Sequence, residues 1–139
     1  MYNKQSTRTN CMTNPTLCLT VTASIAAHFF AFEQRNLPVH VIAAYYICLF
    51  SSLTNHAFSS KVLQWFDRSC VAMCAVLDLY LIVKTKSVLS GFILLLAVGA
   101  YFIAKQTNKT IYHIVAHALI TYSHVCLLEN IHQQDRLLN

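Results

Sequence analysis

Long apolar runs alternate with short polar connections along almost the whole chain. A polar stretch covers residues 1–15, and five apolar runs follow, at about 17–32, 39–58, 62–83, 87–104 and 110–128. A helix that crosses the hydrocarbon core of a bilayer needs about 20 residues, and only the first run is clearly shorter than that. Short connections are typical of antiparallel helix neighbours. The pattern therefore predicts an all-α, polytopic transmembrane helical bundle of about five spans.

A single membrane domain is the expected organisation. The boundaries that we predict are a polar N-terminal tail at 1–15, a transmembrane helical domain at 16–129 and a polar C-terminal tail at 130–139. The chain contains only two glycines and two prolines, so it lacks the turn signals of a β protein. We expect an integral, multi-pass membrane location, and an endomembrane is one of the locations that the sequence leaves open.

The composition supports this class. The chain is 56% hydrophobic and 11% charged, whereas soluble domains carry about 25% charged residues. The formal net charge is +5, but lysines and arginines are scattered between the apolar runs, as flanking charges on membrane spans are. Nucleic acid is therefore not an expected partner. Five of the six cysteines lie inside apolar runs, where cysteine usually acts as a small hydrophobe.

Five polar or ionisable residues lie towards the ends of three apolar runs and form the candidate site. They are Ser52, His56, Asp67, His113 and His117. Such residues cost free energy in lipid, so within a span they indicate function by default. If the spans alternate in direction, the end of the second run and the beginnings of the third and fifth lie at the same membrane face. The five residues are therefore predicted to meet.

The predicted chemistry of this site is that of a zinc centre. His113 and His117 are spaced i, i+4, so their imidazoles leave the same helix face, and His56 would supply a third ligand from another helix. Three imidazoles around a tetrahedral Zn²⁺ leave one position for water, which the metal makes nucleophilic at neutral pH. Ser52 would orient that water or stabilise an oxyanion. Asp67 would accept a proton or orient a ligand.

Two stretches carry a resemblance to a known superfamily: SSLTNHAFSSKVLQWFDRSC at 51–70 and HIVAHALITYSHV at 113–125. The pattern resembles the alkaline ceramidases, the GPI-anchor remodelling hydrolases, the hemolysin III proteins and the progestin and adiponectin receptors. Members carry Ser-x-x-x-His at the end of one helix, Asp at the start of the next and His-x-x-x-His in the last. The resemblance covers about half of the chain, and members typically have seven spans where five are predicted here.

The resemblance implies a zinc-dependent membrane hydrolase that cleaves an amide or ester bond of a lipid, ceramide-like or GPI-lipid-like. Its zinc ligands would be His56, His113 and His117, and its catalytic residues Asp67 and Ser52. The implied partners are the lipid bilayer and a membrane lipid substrate. A first alternative is a non-catalytic, receptor-like or scaffolding protein with a structural zinc site.

A second alternative is a small proton or ion carrier that uses Asp78 and His124. Asp78 lies near the middle of the third run, and we interpret it as a partner of His124 or as a structural hydrogen-bonding group. Cys70 and Cys74 lie on the same helical stripe as Asp67 and Asp78 and are interpreted as small packing residues. His28 and His40 are interpreted as polar groups that are satisfied between helices.

Overall fold

Five α-helices make up nearly all of the described chain. The computed structural model describes residues 14–35, 37–58 and 60–138, apart from the side chains at 135, 137 and 138. The helices are α1 (Pro15–Glu33), α2 (Val39–Ala57), α3 (Lys61–Thr85), α4 (Val88–Thr107) and α5 (Thr110–Leu138). No strand occurs in these residues. The predicted all-α class is confirmed.

Local signals explain where the helices begin and end. The Asn14 side chain caps α1 by accepting a hydrogen bond from the Leu17 N–H at 3.2 Å, and Pro15 occupies the first helical position. Helices α3 and α4 end at Lys86 and Asn108, which both adopt the left-handed conformation with φ of 52°. A left-handed residue is a common way to stop a helix. The short connections that follow make sequential helices antiparallel neighbours.

Helix α5 packs against three other helices, α1, α3 and α4. Helix α4 lies along α5, α1 packs between α5 and α2, and α2 packs on α3, while α3 approaches α4 and α5 less closely. Within the described residues, α2 and α5 make no close backbone approach. They meet through side chains instead, and the polar side chains described below occupy the space between them.

The ends of α1, α2 and α5 that carry the candidate site lie together. The Asn14 N–H, at the start of α1, donates to the His56 carbonyl, at the end of α2, across 3.2 Å. The His113 ring, near the start of α5, lies 5.1 Å from the His56 ring. Helix α3 begins at the same end, three residues after α2 closes at Phe58. The alternation of directions predicted for the second, third and fifth runs is thus present.

In the described part of the chain, three helices are long and apolar enough to cross a membrane: Pro15–Glu33, Val88–Thr107 and Thr110–Gln134. This fits a membrane location. Helices α2 and α3 are more polar, because their inner faces carry the serines, aspartates and histidine of the polar clusters. The five-span arrangement therefore stays a prediction. Helix α5 continues to Leu138 through most of the predicted C-terminal tail, and the predicted N-terminal tail lies almost wholly outside the described residues.

Polar groups face inwards and apolar groups outwards on α3. Its buried residues are Asp67, Cys70, Cys74, Asp78 and Leu81, whereas its large apolar side chains, such as Trp65 (69% exposed) and Met73 (73% exposed), cover the outer surface. The main apolar core lies towards the opposite end from the three histidines and includes the fully buried Leu127 and Leu128 of α5. The buried cysteines fit their interpretation as packing residues, since the Cys74 thiol lies 3.4 Å from the Ala44 carbonyl of α2.

Candidate metal centre

Three histidines from α2 and α5 converge at one end of the bundle. His56, His113 and His117 each offer a ring nitrogen, and these nitrogens all lie within 4.8 Å of one another. The His113 and His117 rings are stacked, with centroids 5.0 Å apart and an angle of 7° between their planes. The His56 ring meets both edge-on, with centroid distances of 5.1 and 5.5 Å. The cluster can hold a metal ion.

The spacing of the ring nitrogens fits a tetrahedral metal. The Nε2 atoms of His56 and His117 lie 3.4 Å apart. Zinc–nitrogen bonds of about 2.0–2.1 Å place two ligands of a tetrahedron about 3.3–3.4 Å apart. The donor set is all imidazole, which suits zinc but also copper, iron and nickel. The predicted three-histidine set is therefore assembled, while the choice of zinc stays a proposal.

Local structure positions His56 at the last turn of α2. The Asn14 N–H donates to the His56 carbonyl at 3.2 Å, which ties the end of α2 to the start of α1. The Phe58 N–H donates to the Thr54 carbonyl at 2.9 Å and closes the last turn. On the other side, Tyr101 of α4 packs edge-on against His113, with ring centroids 5.6 Å apart. Four helices thus contribute to fixing the cluster.

Asp67 of α3 lies at the same end, and α2 side chains hold its carboxylate. It is 8% exposed. The Asn55 side-chain amide donates to Oδ2 at 2.7 Å, and the Ser51 hydroxyl lies 3.3 Å from Oδ1. Asp67 therefore lies at the same end of the bundle as the histidine cluster, and two residues of α2 orient its carboxylate.

Ser51 and Asn55 are residues that sequence reasoning passed over. Ser52 is buried and lies one turn before His56, as predicted, but the serine that approaches Asp67 is Ser51. Ser51 and Asn55 are themselves spaced i, i+4, so both lie on the face of α2 that meets α3. That spacing shows that the two side chains share a face, but it does not indicate which face of α2 meets α3.

A second polar cluster lies deeper in the bundle. His28 Nε2 lies 3.0 Å from His124 Nδ1, His124 Nε2 lies 2.9 Å from Asp78 Oδ2, and the Tyr45 hydroxyl donates to Asp78 Oδ1 at 2.6 Å. The predicted pairing of Asp78 with His124 is confirmed. The interpretation of His28 as a histidine satisfied between helices is confirmed as well. For His40 it is wrong, because that residue is exposed on the first turn of α2.

No family model, no curated protein and no solved structure matches the chain. The fold and the site define an all-helical protein with three candidate membrane spans and a three-histidine cluster that can hold a metal ion. The resemblance to the superfamily of membrane zinc hydrolases stays a prediction.

Proposed function

We propose that the chain is a five-span membrane protein that uses a zinc centre on His56, His113 and His117 to hydrolyse an amide or ester bond of a lipid. The observation that carries this proposal is the convergence of the three imidazoles at a spacing that suits a tetrahedral metal. The carboxylate of Asp67, which Asn55 holds at the same end of the bundle, would supply the group that hydrolysis needs for proton transfer.

The distribution of polarity on α3 supports five spans rather than three. Its outer surface is covered by large apolar side chains, and its two aspartates are buried against other helices. A helix in a bilayer keeps ionisable groups towards the bundle interior in this way. Exposed apolar residues on α2, such as Ile47 and Phe50, extend the same surface.

Each residue of the site has a role that its position supports. The three histidines would hold the metal and leave one position open, and the zinc ion would supply a nucleophile from water at neutral pH. Asn55 and Ser51 hold Asp67 in one orientation, so that it can accept a proton from the attacking water. Ser52, one turn before His56, would orient the water or stabilise negative charge on the substrate.

An apolar groove at the same end of the bundle supports a lipid substrate. It has a volume of about 480 Å³ and lies between the start of α1 and the end of α2, lined by residues that include Cys18, Leu19, Leu53 and Ala57. Ligand sites commonly have volumes of about 300–1,000 Å³. We assign an acyl chain of the lipid to this groove.

A structural metal site is the second candidate, and a specific observation favours it. Helices α2 and α5 make no close backbone approach in the described part of the chain. A metal between His56 and the two histidines of α5 would therefore tie together helices that otherwise meet only through side chains. This role needs no substrate.

Lipid turnover separates the two candidates. The full chain, purified in detergent, would be stripped of metal, reloaded with zinc and incubated with ceramides, acylated glycolipids and phospholipids, with products followed by mass spectrometry. We expect zinc-dependent release of a fatty acid by the wild type and by a His40→Gln control, since His40 is exposed and lies on the first turn of α2. A zinc-loaded chain that releases no product from any of these lipids would favour the structural role.

A further inference from the structure

The deeper polar cluster joins four helices through ionisable side chains that are almost completely buried. His28 of α1 is 0% exposed, Tyr45 of α2 is 1%, Asp78 of α3 is 3% and His124 of α5 is 5%. It is separate from the metal centre, because His124 lies two turns beyond His117 on α5 and Asp78 lies three turns beyond Asp67 on α3. The proposed hydrolysis uses none of these four residues.

The side chains form one continuous line of hydrogen bonds. It begins at the Ser24 carbonyl, which lies 2.8 Å from His28 Nδ1. It continues through His28 Nε2 to His124 Nδ1 at 3.0 Å and from His124 Nε2 to Asp78 Oδ2 at 2.9 Å. It ends where the Tyr45 hydroxyl donates to the other oxygen of Asp78 at 2.6 Å.

The number of protons that this line requires can be counted. A carbonyl oxygen only accepts, so His28 Nδ1 must carry a hydrogen. The contact between the two imidazoles needs one further hydrogen, and the contact between His124 and Asp78 needs another. Two neutral imidazoles supply only two hydrogens for these three contacts, and the Tyr45 hydroxyl is already used on Asp78 Oδ1. With an ionised Asp78, one hydrogen is missing.

Without this hydrogen the folded state would be destabilised, and no neighbouring group that the structure describes compensates for that. Without it, two lone pairs would face each other at about hydrogen-bond distance in a buried site, and buried polar groups without a partner are strongly disfavoured. Among the described residues, every buried side-chain nitrogen and oxygen has a hydrogen-bond partner. A net negative charge would also remain in an apolar interior, which is unfavourable without a paired cation.

We propose that His28, Asp78 and His124 form a proton-binding site, which holds one proton more than two neutral imidazoles and a carboxylate would. The bound proton makes the three groups neutral in sum, either as an imidazolium beside the carboxylate or as a protonated carboxyl beside two neutral imidazoles. It completes the hydrogen bonds that join α1, α3 and α5.

The other groups around the site do not replace this proton. Tyr45 of α2 donates to Asp78, and the Cys74 thiol, one turn before Asp78 on α3, is directed to the Ala44 carbonyl of α2. Helix α4 contributes Ser90, whose carbonyl accepts from the Ser123 hydroxyl of α5 at 2.8 Å. The ion pair of Arg35 with Glu129 lies beyond His124 on α5, on the side away from the three-histidine cluster. None of these supplies a positive charge within the line.

Spectroscopy can report the protonation state of each group in the site directly. The full chain in detergent would carry ¹⁵N-labelled histidine, and nuclear magnetic resonance would report which ring nitrogens are protonated at pH 7. Infrared difference spectra against Asp78→Asn would report the state of the carboxyl. We expect either three protonated nitrogens across His28 and His124, or two protonated nitrogens with a protonated carboxyl. Two protonated nitrogens beside an ionised carboxylate would overturn the proposal.

The pH dependence of stability gives a second test. In the unfolded chain, imidazole loses its proton near pH ~6.5 and aspartate is ionised above pH ~4. Above pH 7, the folded state therefore binds one proton more than the unfolded state, and stability falls as pH rises. The unfolding equilibrium constant should increase about tenfold per pH unit until the folded state also loses the proton.

Asp78→Asn is the matched variant for this measurement. The asparagine amide can donate to a neutral His124 and its carbonyl can accept from Tyr45, so a fixed hydrogen takes the place of the exchangeable proton. Above pH 7 and with a chelator present, its unfolding should be nearly independent of pH, while the His40→Gln control follows the wild type. Parallel curves for Asp78→Asn and the wild type would contradict the proton-binding site.

Discussion

The Nε2 atoms of His56 and His117 lie 3.4 Å apart, although the two helices that carry them make no close backbone approach in the described part of the chain. Two neutral imidazoles share at most one hydrogen bond, and that bond alone does not require a third histidine beside them. His113 completes the cluster with its ring stacked on His117. The three ring nitrogens are close enough together to hold one metal ion.

Removal of the metal is expected to destabilise the protein. A ligand that binds only the folded state stabilises it by mass action, by about 2.7 kcal/mol when its free concentration is 100 times the Kd. Chelation should therefore lower the Tm in detergent, and added zinc should restore it. The Tm of His117→Ala, measured in parallel, should not respond to zinc. If zinc raised the Tm of His117→Ala as much as that of the wild type, the stabilising metal would bind at another site.

Replacement of Asp67 by asparagine is expected to separate catalysis from metal binding. The change preserves the shape of the side chain and its capacity to accept from Asn55, but removes the proton acceptor. Lipid hydrolysis should fall about 10²-fold or more, the usual scale of a lost general base. Ser52→Ala should lose less. Both variants would be compared with the wild type at equal zinc content, and full activity of Asp67→Asn would show that another group accepts the proton.

Removal of the Asn55 amide tests how Asp67 is held. The hydrogen bond to the carboxylate is 2.7 Å long and only partly shielded from solvent. Hydrogen bonds to charged groups contribute about 1.5–3 kcal/mol, so Asn55→Ala should destabilise the protein by roughly that amount or less, measured by denaturant unfolding in detergent. Ser69→Ala is the matched control, because its exposed hydroxyl bonds the Trp65 carbonyl of its own helix. Equal destabilisation by Asn55→Ala and Ser69→Ala would show that the Asn55 amide does not hold Asp67 in place.

Much of the three-histidine cluster was predictable because it depends on spacing within helices. The i, i+4 spacing of His113 and His117 fixes a common face, and short connections fix the direction of each helix. These two facts suffice to bring His56 to the same end. The pairing of Asp78 with His124 was predictable for a similar reason, since a buried aspartate at mid-bundle needs a partner.

The partners of Asp67 were not predictable with the same rules. Ser51 and Ser52 are adjacent on α2, and the rotation of that helix about its axis decides which one meets α3. That rotation follows from packing against α1 as well as α3, which no local pattern encodes. The role of Tyr45 was missed because aromatic residues in an apolar run usually indicate packing, whereas here the hydroxyl reaches a buried carboxylate.

Helix α5 extends well beyond the apolar run at 110–128. The polar composition after residue 129 predicts a tail that could continue the last helix by a turn or two, and the helix continues to Leu138. No glycine or proline interrupts this segment, and the Gln133 amide donates to Glu129 one turn earlier at 3.2 Å. Gln134 also reaches the Thr85 carbonyl at the end of α3, at 3.3 Å. The absence of helix breakers and a tertiary contact therefore account for the length of this extension.

The zinc content of the purified chain is the measurement that tests the metal centre, and with it the proposed hydrolysis, most directly. After exposure to zinc and removal of the excess, elemental analysis should find about one zinc ion per chain in the wild type and in the His40→Gln control. His56→Ala, His113→Ala and His117→Ala should each lose most of it, because each removes one of three protein ligands. Zinc absent from the wild type, or retained equally by all three variants, would contradict the account.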